Sequence, residues 1–209
     1  MVLLDDKPII WHLMNSFAKQ GVDDFIIAAG YLGNVLFEYA ENLNTDWNIK
    51  VIDTGLNTLT GGRIKQCIEG ELDDRFYVTY GDGLGNINLK SLYAHHQTMG
   101  KIATVTCVRP PARFGVLEKS EGLVTHFGEK RQSDVGWING GFFVLERDVA
   151  HLINSNESSF EMDIMPKLAS NSSLAAFEHE GFWQPMDTLR ERNLLANLAS
   201  QPCPPWLLP

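Results

Sequence analysis

Residues 80 to 83 read Tyr-Gly-Asp-Gly, directly after the apolar run Phe76-Tyr77-Val78-Thr79. A carboxylate on a glycine-flanked turn at the carboxyl end of a buried strand stands where open α/β sheets bind ligands. Gly81 and Gly83 leave room for a bulky substrate or a hydrated cation to approach the backbone. Asp82 supplies the hard oxygen donor that Mg²⁺ favours. A second carboxylate, Asp187, lies far downstream in Phe182-Trp183-Gln184-Pro185-Met186-Asp187-Thr188. Brought together by folding, the two would hold a metal ion for phosphate chemistry. A structural reading competes, because Asp-Gly is a common turn dipeptide and either aspartate could simply cap a turn or a helix.

The elements that must position these groups alternate between helix and strand, the signature of an α/β domain with a Rossmann-like, mixed and mostly parallel sheet flanked by helices. Pro8 can open a helix that runs to about Lys19, and Gly21 ends it. Strands are expected at Asp24–Ala29, 47–52, up to Tyr80 and 103–108, with helices at 33–42, 63–68 and 89–99 between them. After Arg109-Pro110-Pro111 the texture changes to short strand-like pieces at 115–118, 123–127 and 140–145. Asp148 is expected to cap a helix. A helix over 160–169, a strand over 174–178 and a last helix over 188–200 complete the chain, which reads as one domain over residues 1–209.

Composition narrows the function classes. A net charge of −9 argues against a general nucleic-acid binder, although a bound Mg²⁺ and a few lysines suffice for a triphosphate. No stretch approaches the roughly 20 apolar residues that span a bilayer, and the first residues lack the basic and apolar runs of a signal peptide. Cys67, Cys107 and Cys203 form no metal-ligand spacing and are odd in number, which points to a reducing cytoplasm. In that compartment the Asn-x-Ser triplets at Asn156 and Asn171 are accidental.

With these residues in hand, the chain resembles the glucose-1-phosphate cytidylyltransferase branch of the sugar-phosphate nucleotidyltransferase family. The resemblance rests on Lys7-Pro8-Ile9-Ile10-Trp11-His12, Thr60-Gly61-Gly62-Arg63, Tyr80-Gly81-Asp82-Gly83, Arg113-Phe114-Gly115, Glu129-Lys130, the run Ile138–Leu145 and Gly181–Arg190. Each is weak alone, and their order and spacing are specific. The resemblance implies transfer of CMP from CTP to glucose 1-phosphate, giving CDP-glucose and pyrophosphate for polysaccharide sugars. It implies that Asp82 and Asp187 hold Mg²⁺ against the α-phosphate and that Lys130 neutralises the sugar phosphate. Glu129, Asn139, Gly140 and Trp183 would face the sugar, and Thr60, Gly61, Gly62, Arg63 and Gly81 the nucleotide. A homo-oligomer is implied as well.

The quieter readings stand beside these. Glu129-Lys130 is a pair found on any surface, Trp183 would ordinarily be core, and Asn139-Gly140 is a turn signal. Members of the family also open with a strand and a glycine-rich phosphate loop ahead of the segment that begins here at Met1. The resemblance therefore implies a sheet missing its first strand, unpaired edges where that strand would lie, and weak or absent turnover. The rival expectation is a non-catalytic homologue that binds sugar phosphate or nucleotide, or assembles with a partner.

Overall fold

The computed structural model describes residues 1–71, 73–110, 115–129 and 136–208. A two-residue hairpin, β1 (Leu3–Leu4) with β2 (Lys7–Pro8), precedes α1 (Ile9–Ala18), so the helix is not the first element as the sequence led us to expect. Pro8 supplies the extended residue before the helix, a position where its missing N–H costs nothing. β3 (Asp24–Ala29), α2 (Gly33–Glu41) and β4 (Asn48–Asp53) form a right-sized βαβ unit, with β3 and β4 parallel. α3 (Thr60–Glu71) then leads to β5 (Arg75–Thr79), the short β6 (Gly83–Gly85), α4 (Leu89–Met99) and β7 (Ala103–Val108). Asn88 caps α4 by accepting from Ser91 N, and Gly100 ends it with a left-handed φ of 56°.

β8 (Gly115–Ser120) and β9 (Leu123–Glu129) pair as a separate antiparallel hairpin. β10 (Ile138–Glu146) follows and enters the main sheet, whose order is β11-β7-β10-β5. β11 (Leu174–His179) runs parallel to β7, whereas β10 runs antiparallel to both its neighbours. Among the described residues between β7 and β10 there is no crossover helix, and β10 returns antiparallel to β7, which makes the sheet mixed. The sheet is discontinuous. Among the described residues β3–β4 bonds to no strand of the four-stranded sheet, so β3 and β5 each stand at the end of a ladder.

Two departures from regular helix occur after β10. Residues Arg147–Leu152 form a 3₁₀ segment with Asp148 inside its first turn, so Asp148 is not the cap; Glu146 holds that position without a side-chain bond. The helix expected over 160–169 is split into a π-helical turn, Phe160–Ile164, and α5 (Met165–Ser170). Pro166 has no N–H for the helical ladder, and the change of pitch falls just before it. β12 (Trp183–Pro185) and α6 (Leu189–Ala199) close the regular structure.

Successive residues of β10 serve opposite faces of the sheet. Phe142 joins Leu13, Phe17, Leu84, Leu92 and Trp206 on one face, and Phe143 joins Ile68, Phe76, Phe160 and Ile164 on the other. Each such fully buried large side chain contributes roughly 2–3 kcal/mol. The irregular tail is anchored rather than loose, because Trp206 is buried against His12 and Phe182.

Candidate active site

The Gly-Asp-Gly turn and the Asp187 segment meet through a three-residue ribbon. β6 pairs antiparallel with β12, setting Gly83 opposite Pro185 and Gly85 opposite Trp183. Met186 N donates to the Asp82 carbonyl at 2.8 Å, which joins the two turns directly. The ribbon packs closely at Gly85, where a Cβ would come within 3.2 Å of the Phe182 carbonyl. Asp187 is held from behind: its N–H and that of Thr188 both donate to Glu191 Oε2 at 2.9 Å, within a capping box at the start of α6.

Asp82 and Asp187 line one cleft of about 180 Å³ together with Tyr80, Asn139, Gly140 and Trp183. Whole ligand sites run to about 300–1,000 Å³, so this cleft accommodates the reacting centre or one sugar rather than an entire nucleotide sugar. Both aspartates are open to solvent. Even so, the cleft walls strip part of the hydration of Asp82 and push its carboxyl above the ordinary value, against its own backbone bond, and the negative charge of Asp187 pushes it the same way. Two acidic oxygens facing one space are a donor set for a hard cation. Among the described residues no group of three or more His, Cys, Asp or Glu side chains could hold a metal. One or two carboxylates completed by water and substrate phosphates is the usual Mg²⁺ arrangement, which the pair fits.

The opposite wall is a bulge. The register of β10 against β7 shifts between Asn139 and Phe143, and Gly141 takes a left-handed φ of 79°. A Cβ on Gly140 would meet Val108 Cγ1 at 2.7 Å, and one on Gly141 would meet the Tyr80 ring at 2.7 Å. Gly141 N donates to Asn139 Oδ1 at 2.8 Å, and Trp183 Nε1 donates to the Gly140 carbonyl at 2.8 Å. Asn139-Gly140 is therefore an interruption inside a strand, pinned by the Trp183 indole, and not a hairpin turn.

The Thr60-Gly61-Gly62-Arg63 segment forms the first turn of α3 and does not line this cleft. Its glycines are explained by packing: a Cβ on Gly61 would lie 2.7 Å from the Ser158 carbonyl, and one on Gly62 would lie 2.6 Å from Asn156 Cα. Arg63 turns toward the ends of β3 and β4, donating to the Ala29 carbonyl at 3.0 Å and to Thr54 Oγ1. Gly81 is exposed beside the cleft. Glu129 ends β9, its backbone opposite Gly115; Lys130, Arg113 and Phe114 lie outside the described residues.

Two residues of the region carried no sequence expectation of their own. Tyr80 lines the cleft, and Glu161, at the π-helical turn, accepts from its phenol at 2.5 Å. The adjacency of Tyr80 to Gly81-Asp82 is a signal that could have found the first. Nothing in the local sequence marks the second.

Asp82 follows the carboxyl end of β5, where open α/β sheets bind ligands, and the β6–β12 ribbon sets Asp187 in the same cleft. The nucleotidyl transferase family model matches residues 1–190, and the chain belongs to that family. It is 41% identical over 229 aligned positions to glucose-1-phosphate cytidylyltransferase of Salmonella typhi, covering 99% of this chain and 89% of that one. The probable glucose-1-phosphate cytidylyltransferase of Bacillus subtilis is 38% identical, with 99% and 91% covered. Among solved structures, HddC from Yersinia pseudotuberculosis shares the fold with a TM-score of 0.73 at 21% identity, over 94% of this chain and 88% of that one. A UDP-glucose pyrophosphorylase complexed with UDP-glucose shares it at 0.70 and 15%, over 95% and 89%.

Proposed function

We propose that this chain is an enzyme that transfers CMP from CTP to glucose 1-phosphate, releasing pyrophosphate and CDP-glucose. The observation that carries the reading is the meeting of Asp82 and Asp187 in one cleft with Asn139 and Trp183, in a chain so similar over its length to proteins of that name. A phosphate oxygen of the sugar phosphate attacks the α-phosphorus, a new P–O bond forms, and the bond to the β-phosphate breaks. Such chemistry needs in-line positioning and neutralised charge more than covalent participation by the protein.

Asp82 and Asp187 would hold Mg²⁺, which when bound offsets the negative charge of the phosphates. The two carboxylates otherwise repel an anionic substrate, so they favour the reaction only in the cation's presence. Asn139, Gly140 and Trp183 would form the sugar wall, with Glu129 and Lys130 reaching the sugar and its phosphate. Thr60, Gly61, Gly62, Arg63 and Gly81 would bear on the nucleotide. The chain would work as a single nucleotidyltransferase domain, in a cytoplasmic homo-oligomer; among the described residues no helix is long and apolar enough to cross a membrane.

The test is pyrophosphate release from CTP, Mg²⁺ and glucose 1-phosphate, with UTP, dTTP and GTP as competitors. CTP-selective release yielding CDP-glucose is the expected result. Absence of release, with the folded chain still binding glucose 1-phosphate or CTP, would leave a binding protein in place of the enzyme.

A further inference from the structure

The Glu161 carboxylate gathers donors from three parts of the chain. Tyr80 Oη donates to Oε1 at 2.5 Å, while Thr60 Oγ1 and Ser159 Oγ donate to Oε2 at 2.6 and 3.2 Å. Partial burial pushes the carboxyl up, yet the bonds from Thr60, Tyr80, its own backbone and Ser159 outweigh that and hold it below the ordinary value. It is a carboxylate at neutral pH and acts only as an acceptor.

That fixes the polarity of everything beyond it. With its proton committed to Glu161, the Tyr80 oxygen can only accept on its other side, where Asn139 Nδ2 approaches at 3.4 Å. Asn139 Oδ1 is then free to accept from Gly141 N at 2.8 Å, which holds the bulge. On the far side Thr60 Oγ1 accepts from Phe160 N at 2.9 Å. Glu161 thus stands between the first turn of α3 and the cleft wall. It sits on a π-helical turn, closed by Ile164 N to the Ser159 carbonyl at 3.3 Å, a local widening frequently found beside functional sites.

We propose that Glu161 is a positioning residue, which orients the Tyr80 phenol and through it the Asn139 amide at the rim of the Asp82–Asp187 cleft, and couples that rim to Thr60. It does not line the cleft, and its side chain reaches the rim through Tyr80. The catalytic consequence rests on the reading of the chain as a sugar-phosphate cytidylyltransferase; the geometric claim does not.

The experiment therefore has two arms. In the ligand-free arm, NMR at neutral pH follows the tyrosine ring carbons bearing the hydroxyls, of which the sequence has five, together with the asparagine side-chain amides. Tyr80→Phe and Asn139→Ala assign the two signals. Glu161→Ala should shift both, and Glu161→Gln should shift them less; a folded Glu161→Ala protein in which neither moves overturns the proposal. In the activity arm, Glu161→Ala should lower kcat/KM for glucose 1-phosphate by about 10–100-fold, the scale of a small misplacement near the chemistry. Glu161→Gln should recover part of it. The double variant with Tyr80→Phe should be no worse than the worse single variant, and additive losses would overturn the coupling. If the unaltered chain forms no CDP-glucose, the functional reading fails, and the ligand-free arm still decides the role of Glu161.

Discussion

Strands β5 and β10 lie side by side from Arg75 opposite Glu146 to Thr79 opposite Phe142, and charged groups gather at both ends of the pair. At the Glu146 end a carboxylate meets two basic side chains, Arg75 and His96. Arg75 donates to Glu146 Oε1 through Nε at 2.7 Å, with Nη2 at 2.5 Å from the same oxygen, and its guanidinium lies over the Tyr93 ring. His96, buried, reaches the same oxygen at 3.1 Å and Thr104 Oγ1 at 2.8 Å. Burial pushes Glu146 up, but the bonds from Arg75 and His96 outweigh it and hold the carboxyl below the ordinary value. At the cleft end the sign reverses, since burial and Asp187 together raise Asp82. One end of the ladder is arranged for the folded state alone; the other carries a charge that the folded state disfavours and a cation would welcome.

Two substitutions should separate the ends. Asp82→Asn is expected to lower CDP-glucose formation by about 100–1,000-fold, the scale of losing one preorganised electrostatic group. Its melting temperature without Mg²⁺ should match or exceed that of the unaltered chain, because a disfavoured charge has gone. A large fall in melting temperature would mean that Asp82 is a structural cap. Glu146→Ala should do the reverse. It leaves Arg75 and His96 without their acceptor, at about 1–3 kcal/mol, or a fall of several degrees at 2–4 °C per kcal/mol in a chain of this size. kcat should stay within about threefold, and a collapse of activity in the folded variant would break the contrast.

The dependence on pH sharpens the same comparison. Asp82 has a folded pKa above its unfolded one, so its ionisation costs stability; the cost is absent below the unfolded value and complete above the folded one. The stability advantage of Asp82→Asn should accordingly be present near neutrality and vanish in acid. Glu146 has a folded pKa below its unfolded one, so its contribution is present above the unfolded value and lost as pH falls through the folded one. The deficit of Glu146→Gln should therefore also shrink in acid, but from the opposite side. Melting curves across the carboxylate range would show two difference plots of opposite sign converging; plots of the same sign would contradict the assignment.

Much of this was legible in the sequence where local punctuation agrees with tertiary packing. Asn88 and Gly100 bracket α4, so Leu89–Met99 could be read to the residue, and the β-branched run of β7 likewise. The β6–β12 ribbon was not legible. Its strands are three residues long, one is two-thirds glycine, and neither has a period to detect, although this ribbon is what brings Asp82 to Asp187. The Asn139-Gly140-Gly141 bulge read locally as turn chemistry, because only the register with β7 reveals an insertion. Glu161 was silent for the same reason: its partner Tyr80 is 81 residues away, and a glutamate in a helix has no local mark of being an acceptor.

The smallest expected effect lies on the wall between these features. Trp183 contributes both a ring and a single N–H, and the latter holds the Gly140 carbonyl at 2.8 Å. Trp183→Phe keeps an aromatic surface in the cleft and removes only that bond. The Gly140 carbonyl beside the cleft can then turn to water, so the loss should stay near 1 kcal/mol, about fivefold in kcat/KM. If the bulge forms the sugar wall, the change should fall on KM for glucose 1-phosphate and leave KM for CTP alone. Trp183→Ala would remove ring and bond together and should cost more, with some loss of stability from the core that Phe182 and Trp206 share with it. A Trp183→Phe variant altered equally toward both substrates would show that the indole supports the whole rim, and would shift weight from the sugar wall to the Glu161–Tyr80 connection.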